Sequence, residues 1–374
     1  MTDTADRPEP DRIDGAPHPR HTPRLFGQQA AERAFLDAFA AGRLHHGWLI
    51  TGPAGVGKAT LAWAIARFLL ATPMAPEAGL FGDVPAPDTL HIDFDHPVAH
   101  RVAALSDPGL FLLRRPYDDK AQRLRQQITV DEVRRLKSFF ALSAADAGRR
   151  VVIVDCADEM TTSAANALLK LLEEPPANTT MLLVSHQPSR LLPTIRSRCR
   201  TLRLAPLVAS DMARALDQAG ANAGDAPEAL AELAAGSVGA AIRLTAQGGL
   251  QRYAEMVTLY AGLPDLDRQR ALKLAEAAAA RGAQAQLEMM ISLNDLLLSR
   301  LARFGAMGAA PGVEAAPGEA AMIARLAPDA RRARVWAELA QSLGARLAHG
   351  RAVNLDPAAL ILDMVFSIRN TAAA

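Results

Sequence analysis

Gly52-Pro53-Ala54-Gly55-Val56-Gly57-Lys58-Ala59-Thr60 reads as a phosphate loop through its lysine. The glycines let backbone amides converge on an anion, a helix starting at the lysine adds its dipole, and Lys58 supplies a point charge for terminal phosphates. The flanks fit that reading. Trp48 to Thr51 is a short apolar run of strand type, and Leu61, Ala64, Ile65, Phe68 and Leu69 recur at helical spacing after the loop. Strand, loop and helix in this order predict a nucleotide-binding α/β domain.

Further strands are read outward from this unit. Val151-Val152-Ile153-Val154 is a β-branched run ending in Asp155, as a strand buried on both faces requires. Phe111 to Leu113, Met181 to Ser185 and Thr201 to Leu204 are shorter strand candidates. Thr129 with Glu132 has capping-box spacing for a helix running to Leu142, and Thr162 or Ser163 opens another over Ala164 to Glu174, stopped by Pro175-Pro176. Strands alternating with helices predict a parallel sheet over residues 25–205. Beyond Pro206 no strand pattern survives. Residues 206–247 read as a small helical lid and 248–374 as an all-α domain with a Gly/Ala/Pro-rich connector near 305–319. Residues 71–109 read as an irregular insertion with a helix near Pro97. Residues 1–24, proline-dotted and poor in apolar side chains, are expected to form a disordered tail.

Composition narrows the function classes. The 374 residues carry 41 Lys+Arg against 40 Asp+Glu, a net charge of +1, which excludes nucleic-acid binding by bulk charge. Only five of the basic residues are lysines, so Lys58 in a motif stands out and an arginine cluster does not. Two cysteines cannot build a disulfide framework or a four-thiolate zinc site. With no long apolar run, the chain is expected to be cytoplasmic.

Two positions around the loop depart from a hydrolytic site. A hydroxyl normally follows the loop lysine to ligate magnesium, and here that residue is Ala59. Thr60 is rotated by about 100° around the helix from it. Asp155 suits the carboxylate at the end of a neighbouring strand that supports the magnesium shell. The next residue, often the Glu that orients water, is Cys156, whose thiol is a poor substitute. Asp158 and Glu159 are the nearby carboxylates that could compensate.

Ser197-Arg198-Cys199, together with Asn166-Ala167-Leu168-Leu169-Lys170-Leu171-Leu172-Glu173-Glu174-Pro175-Pro176, resembles the clamp-loader branch of the AAA+ ATPases. The shared order covers about residues 25–205. The resemblance implies an AAA+ α/β domain, a helical lid and a helical collar that oligomerises. It further implies that Arg198 is an arginine finger acting in trans on nucleotide bound by a neighbour, since a guanidinium stabilises a transferring phosphoryl group equally well from another chain. Hydrolysing members keep a hydroxyl after the lysine, a catalytic Glu, four zinc cysteines and a lid arginine; this chain has Ala59, Cys156, no cysteine between Lys58 and Asp155, and Gly239. It is therefore similar to a non-hydrolysing ring member of the bacterial replicative clamp loader. On this reading ATP or ADP is bound, if at all, without turnover at Gly52, Pro53, Ala54, Gly55, Val56, Gly57, Lys58, Ala59, Thr60 and Asp155, magnesium binding is in doubt, and no zinc or other metal is expected. The implied partners are motor (gamma/tau) and delta subunits, the beta sliding clamp and primer-template DNA. Two rivals remain: an active AAA+ motor in which Thr60 and Glu159 replace the missing groups, and a single-chain phosphoryl-transfer enzyme. His45-His46 lacks thiolate or carboxylate partners at metal-ligand spacing, His91 and His96 among Asp93 and Asp95 imitate a metal site but are read as part of a solvated insertion, and Trp48, Trp63 and Trp336 are expected as core anchors.

Overall fold

The computed structural model describes residues 8–73, 87–142, 148–222, 224, 226–280 and 284–374. The part of the insertion over 74–86 and the first seven residues lie outside them. The chain divides into two compact units, one of residues 1–221 with 236–239 and one of 222–235 with 240–374. Segment 206–247, read as one lid, thus contributes to both.

The first unit is an α/β layer structure. Strands β1 (Gly47–Thr51), β2 (Leu110–Arg114), β5 (Arg150–Asp155), β6 (Thr179–Ser185) and β7 (Arg200–Arg203) form one parallel sheet in the order β2-β5-β6-β1-β7. A two-stranded hairpin, β3 (Tyr117–Asp118) with β4 (Arg123–Leu124), follows β2. The β5 and β6 side chains are buried almost throughout, as their unbroken apolar runs require. Helices α1 (Gln29–Ala40) and α2 (Lys58–Ala71) contribute Phe35, Phe39 and Phe68 to an aromatic cluster with Trp48. A second apolar layer joins Leu49, Val152, Val154 and Leu183 of the sheet to Leu136 of α4 (Val130–Leu142) and Leu168 and Leu172 of α5 (Thr162–Glu173). Parallel sheets need this double cover because both faces are apolar. Thr129 closes the capping box with Glu132, its amide donating to the carboxylate at 3.0 Å. The cap of α5 lies at Thr161 instead of Thr162 or Ser163, its hydroxyl accepting from the Ala164 amide at 3.2 Å.

Residues 8–24 correct the expectation of a disordered tail. They form a strap across α2, joined by a 3-10 turn at Pro19–His21 and preceding the short helix α3 (Pro97–Ala103) in the chain. The Trp63 indole donates to Asp11 at 3.0 Å, and Arg67 donates to the carbonyls of Arg20 and Thr22. Arg20 forms a two-pronged pair with Glu9 at 2.7 and 2.9 Å. Composition misled because polar pairing, not apolar burial, holds the segment.

After α6 (Pro193–Arg196) and β7, helix α7 (Ala209–Gln218) completes the first unit. The second unit is helical: α8 (Pro227–Leu233), most of α9 (Val238–Ala246), α10 (Gly249–Ala261), α11 (Arg268–Ala279), α12 (Gln284–Met307), α13 (Glu319–Leu326), α14 (Ala330–Ala352) and α15 (Pro357–Ala373). The long pair α12 and α14 packs through Leu297, Leu301, Trp336 and Leu343, and α11 packs on α15. Inside it, Arg300 is only 2% exposed and Glu319 is fully buried. The Arg300 Nε donates to Glu319 at 2.5 Å, Tyr253 donates to the same carboxylate at 2.6 Å, and a second guanidinium nitrogen meets Glu232. Among the described residues, no single helix is long and apolar enough to cross a membrane.

Candidate nucleotide and arginine-finger sites

The loop of residues 52–57 leaves the end of β1 and opens α2 at Gly57, whose φ of +99° caps the helix in a conformation that side chains other than glycine resist. Gly55, at φ +76°, meets the chain again: a Cβ there would lie 2.4 Å from the Ser237 hydroxyl and 3.0 Å from Gly239. The Ser237 hydroxyl donates to the Ala54 carbonyl at 2.8 Å and the Gly239 amide to the Gly55 carbonyl at 3.1 Å. Gln28, a position that sequence reasoning overlooked, clasps the far side: its amide donates to Ala205 at 2.8 Å and Val56 at 3.3 Å, and its carbonyl accepts from the Ala205 amide. Its only signal was a buried polar residue ahead of a helix that has no side-chain cap.

Lys58 is 3% exposed and turns onto its own loop, donating to the carbonyls of Gly52 at 2.8 Å and Pro53 at 2.5 Å. Burial pulls its ammonium down to about 8, against the pull of the neighbouring Asp158 and Asp155 carboxyls. Asp155 ends β5, 3% exposed. Burial, with Asp11 and Glu159 adding to it, pushes its carboxyl up to about 7, while the Cys156 hydrogen bond and Arg114 pull the other way. One of its oxygens is near the Cys156 thiol at 3.5 Å and the other has no hydrogen-bond partner. Burial, reinforced by the neighbouring carboxylates, drives the Cys156 thiol far up, so it stays neutral.

Neither compensating carboxylate is free. Glu159 faces Arg115 at 2.7 Å, and its carboxyl is raised by burial. Asp158 accepts from the His186 amide at 3.0 Å. Ala59 and Thr60 lie half-buried in the first turn of α2, and Ala59 brings no ligand atom. The donor set does not fit a magnesium ion: no hydroxyl follows Lys58, and the carboxyl of Asp155 is held toward its neutral form. The helix start and lysine suit an anion, which would compete with the loop carbonyls for the ammonium.

Arg198 stands apart from this cluster, on the turn between α6 and β7. It is half-exposed, with one nitrogen 2.9 Å from Glu173 and another donating to the Thr194 carbonyl at 3.1 Å. Ser197 donates to the same carbonyl, and Cys199 is packed close to Gly47. Glu173 belongs to α5, so the helix within the Asn166 to Pro176 motif and the Ser-Arg-Cys turn meet through this pair.

Among the described residues, Glu9, Asp11 and His18 bring three ligand atoms within 4.8 Å of one another. Arg114 and Arg20 already sit on those carboxylates, with Arg114 2.5 Å from Glu9 and 3.3 Å from Asp11. The group is a charge-balanced ion network. Of the other histidines, His96 caps α3 by accepting from the Val98 amide, and His45 and His46 stack and bond to the backbone at Gly47 and Leu172.

Comparison with known proteins gives a consistent picture. Residues 27–208 match the family described as DNA polymerase III, delta subunit. DNA polymerase III subunit delta' of Pseudomonas aeruginosa is 40% identical over 219 residues, covering 57% of this chain and 59% of that one. The subunit of the same name from Escherichia coli is 34% identical over 208 residues, covering 55% and 56%. The match thus spans less than two thirds of the length of these relatives. A gamma subunit-related protein of Thermotoga maritima, among solved structures, aligns over 90% of this chain and 99% of its own at 17% identity and a TM-score of 0.37.

Proposed function

We propose, from the match of residues 27–208 to the DNA polymerase III delta-subunit family and the likeness to delta' subunits, that the chain is a delta-prime clamp-loader subunit that completes the loader ring in the cytoplasm without hydrolysing ATP itself. In this reading Arg198 reaches the nucleotide of an adjacent gamma/tau motor subunit. With the delta subunit, the ring couples that hydrolysis to placing the beta clamp on primer-template DNA. One contrast carries the reading. Around Lys58 the hydroxyl and the water-orienting Glu are replaced by Ala59 and Cys156 and the nearby Asp158 and Glu159 are engaged within the chain, whereas Arg198 is half-exposed and held at the surface by Glu173 and the Thr194 carbonyl. An exposed pair of this kind contributes about 0–1 kcal/mol, little enough for a phosphate on a neighbouring chain to outcompete.

The test is DNA- and clamp-stimulated ATP turnover by the ring reconstituted with motor and delta subunits. We expect Arg198→Ala to cut turnover at the site it reaches by about 1,000-fold or more, in the range of arginine-finger losses, and Lys58→Ala to change it by less than about twofold. Loss with Lys58→Ala and not with Arg198→Ala, assembly being intact, would replace this reading with the active-motor alternative.

A further inference from the structure

A cavity of about 1100 Å³ opens on the sheet face that carries Leu49 and Thr51, beside β7. Its floor follows from strand register. Leu49 pairs with Thr201 and Thr51 with Arg203, so these four side chains project to one face, while Trp48, Ile50 and Leu202 project to the other. The second wall is the β6–β7 connection, with His186, Arg196 and Ser197. Pro53, Pro188, Pro193 and Pro206 stiffen the rim. Lys58, Asp155 and Arg198 are not part of the lining.

The charge is one-sided. No Asp or Glu lines the cavity, and neither Arg196 nor Arg203 has an ion-pair or hydrogen-bond partner for its guanidinium among the described residues. Arg200, next to both, stacks over Trp48 on the opposite face, so these arginines do not share one surface role. In register with Thr51, the fully buried Ser185 hydroxyl also lacks a partner. Two forked guanidinium groups, an imidazole and the hydroxyls of Thr51 and Thr201 make the donor set that phosphoryl oxygens require. The volume lies slightly above the range for small-ligand pockets, about 300–1,000 Å³.

We propose that this cavity, which adjoins the Lys58 loop at Gly52 and Pro53, is a second anion site that takes a small phosphate-bearing molecule through Arg196 and Arg203. A small polyphosphate is favoured over a nucleic-acid backbone because both arginines line one bounded cavity. The two phosphate sources, free polyphosphate and nucleotide, share this chemistry and are separated by experiment.

Titrate inorganic pyrophosphate into the full chain by calorimetry, with ATP and orthophosphate in parallel. Saturable pyrophosphate binding is expected, weakened about tenfold by Arg196→Gln or Arg203→Gln singly and weakened less by Lys58→Ala than by either. Both arginines are exposed, so the variants are expected to fold, as circular dichroism would check. Tighter ATP than pyrophosphate would identify nucleotide as the source, the reverse free polyphosphate, and either supports the site. The proposal is overturned by absence of saturable pyrophosphate binding, by binding that depends on Lys58 and not on the two arginines, or by arginine-dependent binding of primer-template DNA alone. Because no partner subunit is involved, the result stands apart from the finger role of Arg198.

Discussion

Asp155 carries a cost of burial that can be read as a pH dependence. Its unfolded value is near 3.8 and its folded value is raised to about 7. Between them the folded chain keeps a proton that the unfolded chain has released, so stability falls as pH rises through this window and levels off above it. Asp155→Asn removes the penalty. It is expected to match the unmodified chain near pH 4 and to exceed it by about 1–3 kcal/mol at pH 8 in urea unfolding; equal stability at pH 8 would show that Asp155 ionises without strain in the fold. The residue's place at a strand end was legible from the run of β-branched residues before it. Its neutral tendency was not, because burial in the sheet and the approach of Asp11 arise only in the folded chain. Arg198 shows the same division: the tripeptide marked the position, while the partner Glu173 depends on how α5 packs beside the turn.

Among elements, the strap of residues 8–24 is the one that reading by composition missed. A segment without apolar residues can still order if each charge finds a partner. Here Asp11 alone serves His18 at 3.0 Å, Trp63 at 3.0 Å and Arg114 at 3.3 Å. Asp11→Ala would strand three donors in a buried setting, and a loss of about 3 kcal/mol is expected by chemical denaturation; a loss below about 1 kcal/mol would mean that the strap is held by its backbone. Strands fared better. β1, β5 and β6 are unbroken apolar runs, and the turns and caps around them use local chemistry that Pro, Gly and Thr display openly. The loop also reads correctly as strand, turn and helix, yet its closure by Ser237 and Gly239 joins residues about 180 positions apart, beyond any local pattern.

At the scale of the molecule, the two compact units place their least replaceable polar groups differently. In the helical unit, Glu319 accepts from Arg300, Tyr253 and the Ala315 amide, tying α13 to α10, to α12 and to the preceding connector. Glu319→Gln leaves Arg300 with an incomplete partner. We expect about 3 kcal/mol to be lost from unfolding of that unit, with the α/β unit unaffected; an equal shift in both would show that they unfold as one. The helical pattern beyond residue 206 was plain from the absence of strands, but the composition of this polar knot was not, since Arg300 and Glu319 look like surface residues in an Arg-rich chain. The enclosure of the three tryptophans has an optical consequence. Trp48 and Trp63 lie in the first unit and Trp336 in the second, all with no exposed surface. Native emission should therefore sit at short wavelength and shift to the red as each ring meets water. A Trp48→Phe, Trp63→Phe chain would glow from the helical unit alone, a built-in lamp for watching one half of the molecule open without any label.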